Sequence, residues 1–279
     1  MKKMIAILGP TASGKTALAA AVAARVGGEI LSADSRQVYR RMDIGTGKDL
    51  ADYRVATGGE VKDIPYHLID ICEPGTRYNL FRYLQDFEQA FQSVTEHGAL
   101  PIVCGGTGLY MEAVLKEYRL SAVPQNAELR KSLQGKSLAE LTLMLQELKA
   151  RHGTSMHNTT DVDSAQRAIR AIEIEMGQDE APTPSGRTDG TPRGEALIVG
   201  VSTSREERRQ RITQRLKARL EQGMIDEVRA LLAEGISAED LMYYGLEYKF
   251  VTQYVTGLLG YDEMFKRLEI AIHQFAKRQ

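Results

Sequence analysis

Gly9-Pro10-Thr11-Ala12-Ser13-Gly14-Lys15-Thr16 follows the apolar run Met4-Ile5-Ala6-Ile7-Leu8 and precedes an alanine-rich stretch from Ala17 to Val26. The order reads as strand, phosphate loop, helix. The spacing G-x-x-x-x-G-K-T lets the backbone turn sharply, so that successive N–H groups and the positive end of a helix point at one anion. A polyphosphate belongs there. Lys15 is expected to reach its terminal phosphates, and the Thr16 hydroxyl to help hold Mg²⁺. The cradle reads phosphate and is blind to whatever the phosphate is attached to, so the substrate must be read from the rest of the chain.

The chain of 279 residues, 43% hydrophobic and 26% charged, fits a globular protein with a sizeable core. No apolar run approaches the roughly 20 residues that span a bilayer, so no membrane partner is expected. Cys72 and Cys104 are the only cysteines and stand far apart; this argues against structural zinc and for a reducing compartment, with cytoplasm the expected location. The net charge of −1 does not advertise nucleic-acid binding, though an average says nothing of local basic surfaces.

Outward from the phosphate loop, strands are expected over 29–33, 66–71, 99–104 and 196–201, alternating with helices as in a parallel α/β sheet. Asp34-Ser35-Arg36-Gln37 follows the second strand at its carboxyl end, where such sheets face their ligand crevice. Asp34 reads as a base or as a loop cap. Residues 43–63 read as a polar, glycine-bearing loop. Asp70 weakly imitates a metal-binding strand-end carboxylate, with pairing to a neighbour the plain alternative. Gly105-Gly106-Thr107-Gly108 turns from the fourth strand into a helix, and Thr107 is placed on the rim of the crevice.

From 117 to 177 the alternation stops. Helical stripes run through Leu138, Leu141, Leu145 and Leu148, and through Ala165, Ile169, Ile172 and Met176; Gln166, Arg167 and Arg170 form a cationic strip beside the second. This segment reads as an inserted helical subdomain within a discontinuous core of 1–116 and 196–279. The Pro- and Gly-bearing stretch 178–195 reads as a flexible linker. A helix from Arg205 to Glu221 carries Arg211, Arg215 and Arg219 as a second row beside its apolar stripe Ile212, Leu216 and Leu220, a pattern suited to closing over phosphates.

The phosphate loop, Asp34-Ser35-Arg36-Gln37-Val38-Tyr39, Met42 to Lys48, His67-Leu68-Ile69-Asp70-Ile71, Gly105-Gly106-Thr107-Gly108-Leu109-Tyr110 and Ala276-Lys277-Arg278-Gln279 together resemble the bacterial tRNA dimethylallyltransferases. The resemblance runs through nearly the whole chain in order. It implies a P-loop NTPase-like parallel sheet with an inserted all-helical subdomain. It also implies transfer of a dimethylallyl group from dimethylallyl diphosphate to N6 of adenosine 37 in tRNA, with Mg²⁺ at Thr16. In that reading Gly9, Pro10, Thr11, Ala12, Ser13, Gly14, Lys15, Thr16 and Arg215 hold the diphosphate, and Thr11, Asp34 and Arg215 serve catalysis. Asp34, Ser35, Arg36, Gln37, Thr107, Arg130, Gln166, Arg167, Ala168, Ile169 and Arg170 are carried over as contacts to the tRNA anticodon stem-loop, and a monomer is expected.

Gly47-Lys48-Asp49 stands where the family commonly has Ala-Lys-Pro, and the family usually continues past Ala-Lys-Arg-Gln. Three rivals remain at this point. An adenylate isopentenyltransferase would prenylate free AMP or ATP, a small-molecule P-loop kinase would transfer phosphate from ATP, and a non-catalytic paralogue would bind tRNA without turnover.

Overall fold

A computed structural model describes residues 3–118, 120, 123–153, 156, 159–177 and 195–279, apart from the side chains of residues 159 and 160. The chain divides into two compact units, Met1–Glu117 with Gly190–Gln279, and Tyr118–Asp189. The expected linker at 178–195 lies outside the described residues except for its last position.

The first unit is organised by the strands that sequence periodicity marks. β1 (Lys3–Leu8) leads through the phosphate loop into α1 (Lys15–Val26). Ala19, Ala20 and Ala23 are fully or almost fully buried on α1, and side chains this small let the helix lie close to the sheet. Gly27 ends α1 in the left-handed conformation (φ 66°), its N–H bonded to the Ala23 carbonyl. β2 (Gly28–Ser32) follows, then β3 (Arg54–Thr57), β4 (Glu60–Asp63), β5 (Tyr66–His67), α2 (Leu80–Glu96), β6 (Leu100–Gly105) and α3 (Gly108–Leu115).

The second unit holds α4 (Ala127–Leu133), α5 (Leu138–Arg151) and α6 (Ala165–Gly177). Returning to the first, β7 (Glu195–Gly200) precedes α7 (Arg205–Glu221), α8 (Met224–Ala233), α9 (Ala238–Tyr243), α10 (Leu246–Val255) and α11 (Tyr261–Arg278).

The five-stranded sheet has the order β5-β2-β6-β1-β7, and every pairing is parallel. Because the strands run in one direction, β1, β2 and β6 all end on the same rim. Those ends deliver the phosphate loop, the segment beginning at Asp34 and the Gly105–Gly108 turn to one place. One buried cluster includes Leu31, Tyr39, Tyr83, Val103, Leu216 and Leu268, and another Ile7, Ile30, Ile102 and the α1 alanines.

Two local expectations in the first unit differ from the structure. The strand read over 66–71 is paired only at Tyr66–His67. Leu68 and Asp70 take positive φ (67° and 57°), which turns the chain off the sheet, and the Asp70 carboxylate accepts a hydrogen bond from the buried Lys48 ammonium. Lys48 also donates to Asp43 Oδ1 (2.5 Å) and the Tyr39 carbonyl (2.7 Å). Asp70 is thus a structural partner of Lys48.

The loop read over 43–63 contains the β3–β4 hairpin, turned at Gly58-Gly59 with φ of 62° and 86°. Two successive positive φ values suit a two-residue hairpin turn and favour glycine. The first part of this segment is fastened from a distance. The Glu227 carboxylate accepts the N–H groups of Asp43, Ile44 and Gly45 at 2.8, 2.8 and 3.0 Å, and the Tyr248 hydroxyl at 2.6 Å.

In the helical unit, Leu133, Leu141, Leu145, Ala168 and Ile172 form the core. The stripe of α6 is rotated from the expected one: Ala168 and Ile172 are buried, Ile169 packs at the edge, and Met176 is exposed. Glu173 and Glu175 occupy the remaining inward positions because polar partners meet them there, the Arg130 and Arg170 guanidinium groups at the first, the Lys149 ammonium and the His152 ring at the second.

Candidate active site

A cavity of about 970 Å³ opens at the carboxyl rim of the sheet, within the first unit. Its wall includes Thr11, Ala12, Gly14, Lys15 and Thr16 of the phosphate loop, Asp34 to Gln37, Thr107, and Arg211, Arg215 and Arg219 of α7. Gly9, Pro10 and Ser13 stand behind this wall. A Cβ on Gly9 would lie 2.6 Å from the Ser13 Oγ, so the absence of a side chain there is what lets the loop fold on itself.

The N-terminus of α1 has no side-chain cap. Several other helices do: Asn79, Asn126, Ser137, Ser204 and Ser237 each accept a backbone N–H from the first turn that follows. The first N–H groups of a helix have no intrahelical acceptor, and on α1 that turn (Lys15, Thr16, Ala17) borders the cavity. The helix dipole adds positive potential at the same point. Burial, partly offset by Asp34 and Cys104 and reinforced by Arg215, draws the Lys15 ammonium below its ordinary pKa. A desolvated cation beside open N–H donors is an arrangement completed by an anion.

The three α7 arginines are held by carboxylates. Arg215 hydrogen-bonds Asp49, whose Oδ2 also lies 3.9 Å from Arg219 Nη2; Arg219 Nη1 is 3.6 Å from Glu247, and Arg211 donates to Glu207 at 2.6 Å. Burial, then the charge of Arg215, lowers the Arg219 pKa, while Glu247 and Asp49 oppose the change. Gly47 makes room for this group, since a Cβ there would come within 1.7 Å of Arg219 Nη2.

At the other end of the cavity, Asp34 Oδ1 accepts the N–H of Arg36 at 2.8 Å and of Gln37 at 3.4 Å. Asp34 therefore shapes its own loop with one oxygen, while Oδ2 has no hydrogen bond among the described residues. Thr107 Oγ1 accepts the Ser35 N–H (3.2 Å), and Gln37 Nε2 donates to the Gly47 carbonyl (3.0 Å), fixing that wall. Arg36 lies over the Tyr243 ring, 5.3 Å from its centroid.

The sequence reading did not single out Gln279, Asp49 or Tyr243 as groups of this cavity. Gln279 Oε1 accepts the Thr11 N–H at 2.8 Å, and its Nε2 donates to the Gly106 carbonyl at 2.7 Å.

Arg130, Gln166, Arg167 and Arg170 lie in the helical unit. Gln166 and Arg167 are exposed, Arg130 and Arg170 share Glu173, and Ala168 with Ile169 face that unit's own apolar core.

Among the described residues no three His, Cys, Asp or Glu side chains converge as a metal cage. Thr16 fits a different arrangement, in which a hard cation takes one hydroxyl from the protein and its remaining oxygens from phosphate and water.

Residues 37–279 match the family model described as IPP transferase, and residues 2–56 match one described as isopentenyl transferase. The chain belongs to the IPP transferase family. It is 58% identical over 278 residues to tRNA dimethylallyltransferase 1 of Parabacteroides distasonis, covering 99% of this chain and 86% of that relative. It is 60% identical over 276 residues to tRNA dimethylallyltransferase 1 of Porphyromonas gingivalis, with 99% and 87% covered. Among solved structures, the tRNA isopentenylpyrophosphate transferase of Bacillus halodurans aligns over 100% of this chain and 86% of its own, at 30% identity and TM-score 0.67. A eukaryotic dimethylallyltransferase acting on tRNA shares the fold, with TM-score 0.78 at 23% identity over 100% of this chain and 69% of its own. The parallel sheet and phosphate loop of this IPP transferase are thus those of a P-loop NTPase-like α/β fold.

Proposed function

We propose that the chain is a tRNA dimethylallyltransferase, which moves a dimethylallyl group from dimethylallyl diphosphate to N6 of adenosine 37 and releases diphosphate. The observation that carries this reading is the single cavity shared by an uncapped helix N-terminus, the α7 arginines and Asp34. One end is built for an anion, the other for a proton acceptor.

In the reaction the N6 lone pair forms a bond to the allylic carbon, the bond from that carbon to oxygen breaks, and diphosphate departs with the electron pair. Lys15, the open N–H groups of α1 and Arg215 oppose the charge that grows on the leaving oxygens. They are preorganised, so little reorganisation accompanies the step. Asp34, held by the Arg36 and Gln37 N–H groups, orients the amine and takes its proton. Thr11 sits at the same anion end, its amide fixed by Gln279. Thr16 is the residue that would hold Mg²⁺, which when bound supplies further positive charge to the diphosphate.

An adenine stacked in an anticodon loop cannot present N6 to this cavity, so the nucleotide is flipped out to enter it. Ser35, Arg36, Gln37 and Thr107 line the wall it would meet. The helical insertion, 117–177, contributes Arg130, Gln166, Arg167 and Arg170 to the anticodon stem-loop and is joined by a linker at 178–195 to the core of 1–116 and 196–279. The protein acts as a monomer in the cytoplasm. Among the described residues no helix is long and apolar enough to cross a membrane.

The test is incubation with Mg²⁺ and labelled dimethylallyl diphosphate, offering either tRNA with A37 or free AMP. Label in tRNA is the expected result. Label in AMP alone would make the chain a free-nucleotide prenyltransferase, and phosphate transfer from ATP without prenyl transfer would make it a kinase.

A further inference from the structure

The buried carboxylate of Glu173 binds two arginines at once. Its side chain has no exposed surface, whereas the side chains of Arg130 and Arg170 keep 39% and 33% of theirs. Oε1 accepts Arg130 Nε at 2.7 Å and the Asn126 N–H at 3.0 Å; Oε2 accepts Arg130 Nη2 at 2.9 Å and Arg170 Nη1 at 3.2 Å. Arg170 Nη2 also donates to the Val123 carbonyl at 2.7 Å. The Arg130 pairing is bidentate, which fixes the plane of the guanidinium as well as its position.

We propose that Glu173 is a positioning residue for tRNA, holding Arg130 and Arg170 side by side as one preformed phosphate-binding site. This rests on the tRNA reading given above. Each guanidinium has five N–H donors, and the contacts above use two on Arg130 and two on Arg170. Among the described residues the others meet no acceptor and are available to phosphate oxygens, and two positive charges against one negative leave the group cationic.

Stability alone is a poor reason for such a group, since buried ion pairs are often replaced by apolar packing at no cost. What the carboxylate does provide is geometry: without it, two like charges would separate and each arginine would have to be ordered when RNA arrives. Arg167 supplies an internal contrast. Its partner Asp163 lies one turn away at 2.9 Å, and both side chains are more than half exposed, so that pair is solvated and constrains little.

The test compares Glu173→Gln and Asp163→Asn with the wild type, measuring KM for tRNA, KM for dimethylallyl diphosphate, kcat and thermal unfolding. Glu173→Gln is expected to raise KM for tRNA by about tenfold and to leave kcat and the other KM unchanged. Asp163→Asn should move none of these by more than about twofold. A folded Glu173→Gln protein with unaltered tRNA KM would overturn the proposal, as would equal effects from the two variants.

Should Glu173→Gln fail to fold, Arg130→Ala, Arg170→Ala and the double variant decide the matter. A single preformed site predicts that their losses in tRNA affinity are coupled, and simple additivity would overturn it. A wild type that puts no label into tRNA sinks the tRNA reading and this proposal together; a wild type that labels tRNA while Glu173→Gln changes nothing sinks only the latter.

Discussion

The α7 arginines and the Arg130–Arg170 pair of the helical unit all meet carboxylates, yet the two arrangements are built for opposite purposes. On α7, Arg215 pairs with Asp49, a loop residue whose side chain is 45% exposed, on the wall of the cavity. In the helical unit, Arg130 and Arg170 pair with Glu173, which is completely covered. A carboxylate at the edge of solvent is a counter-ion that an incoming diphosphate can replace. One that is buried stays, and sets the shape of the surface its arginines present. In the reading proposed above, the cavity therefore holds an exchangeable pair, Arg215 with Asp49, and the helical unit a fixed group, Arg130 and Arg170 on Glu173.

The largest effect should come from removing a cation at the chemistry end. Arg215→Ala and Lys15→Ala are each expected to slow prenyl transfer by about 10²- to 10³-fold in single-turnover assays, with tRNA affinity little altered. Loss of tRNA binding instead, at unchanged chemistry, would erase the distinction between the two sets.

Gly47→Ala probes the support of the exchangeable pair. Gly47 has φ +64°, and the new Cβ must push aside the Arg219 guanidinium that packs against it. A destabilisation of about 1–3 kcal/mol in denaturant unfolding is expected, with a raised KM for dimethylallyl diphosphate. An unchanged KM would show that the Arg219 group plays no part in diphosphate binding.

Asp49→Asn should act in the other direction. Freed from its resident counter-ion, Arg215 should bind diphosphate more tightly, lowering KM for dimethylallyl diphosphate by about two- to fivefold, the scale of a partly exposed ion pair. Its KM for tRNA should not move.

The smallest effect is on acid stability. Burial alone would raise the Glu173 pKa, but hydrogen bonds from Arg130, the Asn126 amide and Arg170 outweigh it and leave the carboxyl below its ordinary value of 4.5. A depressed folded-state pKa contributes stability above the unfolded value, and that contribution is lost as pH falls through the folded one. Unfolding measured from neutral pH down through this window should show a steeper loss of stability in wild type than in Glu173→Gln. Parallel curves would mean that the carboxylate is not the fixed anchor described here.

Much of this was legible because it is local. The phosphate loop, the strand and helix that flank it and the arginine row of α7 are written in short spacings that helix and strand geometry decode. Asp34 could be placed at the crevice because a parallel sheet puts strand ends there. The alternatives for Asp70 were separated only by finding Lys48 next to it.

What sequence spacing hid are contacts between distant positions. Glu227 fastens backbone 182 to 184 residues away, Asp49 meets Arg215 166 residues away, and Gln279 meets Thr11 268 residues away. No periodicity signals such pairs. The α6 stripe differs from the expected one for a related reason. A hydrophobic pattern places Glu173 outside, whereas the paired arginines make its burial tolerable.

The most direct test of the division within the cavity is Asp34→Asn, with labelled dimethylallyl diphosphate binding and prenyl transfer to tRNA measured on the same preparation. Asn keeps the size of the side chain and one oxygen for the Arg36 and Gln37 N–H groups, but it cannot accept the amine proton. Binding of dimethylallyl diphosphate close to that of wild type, together with transfer slowed by about 10²-fold or more, is the predicted result. Transfer at the wild-type rate would contradict the account.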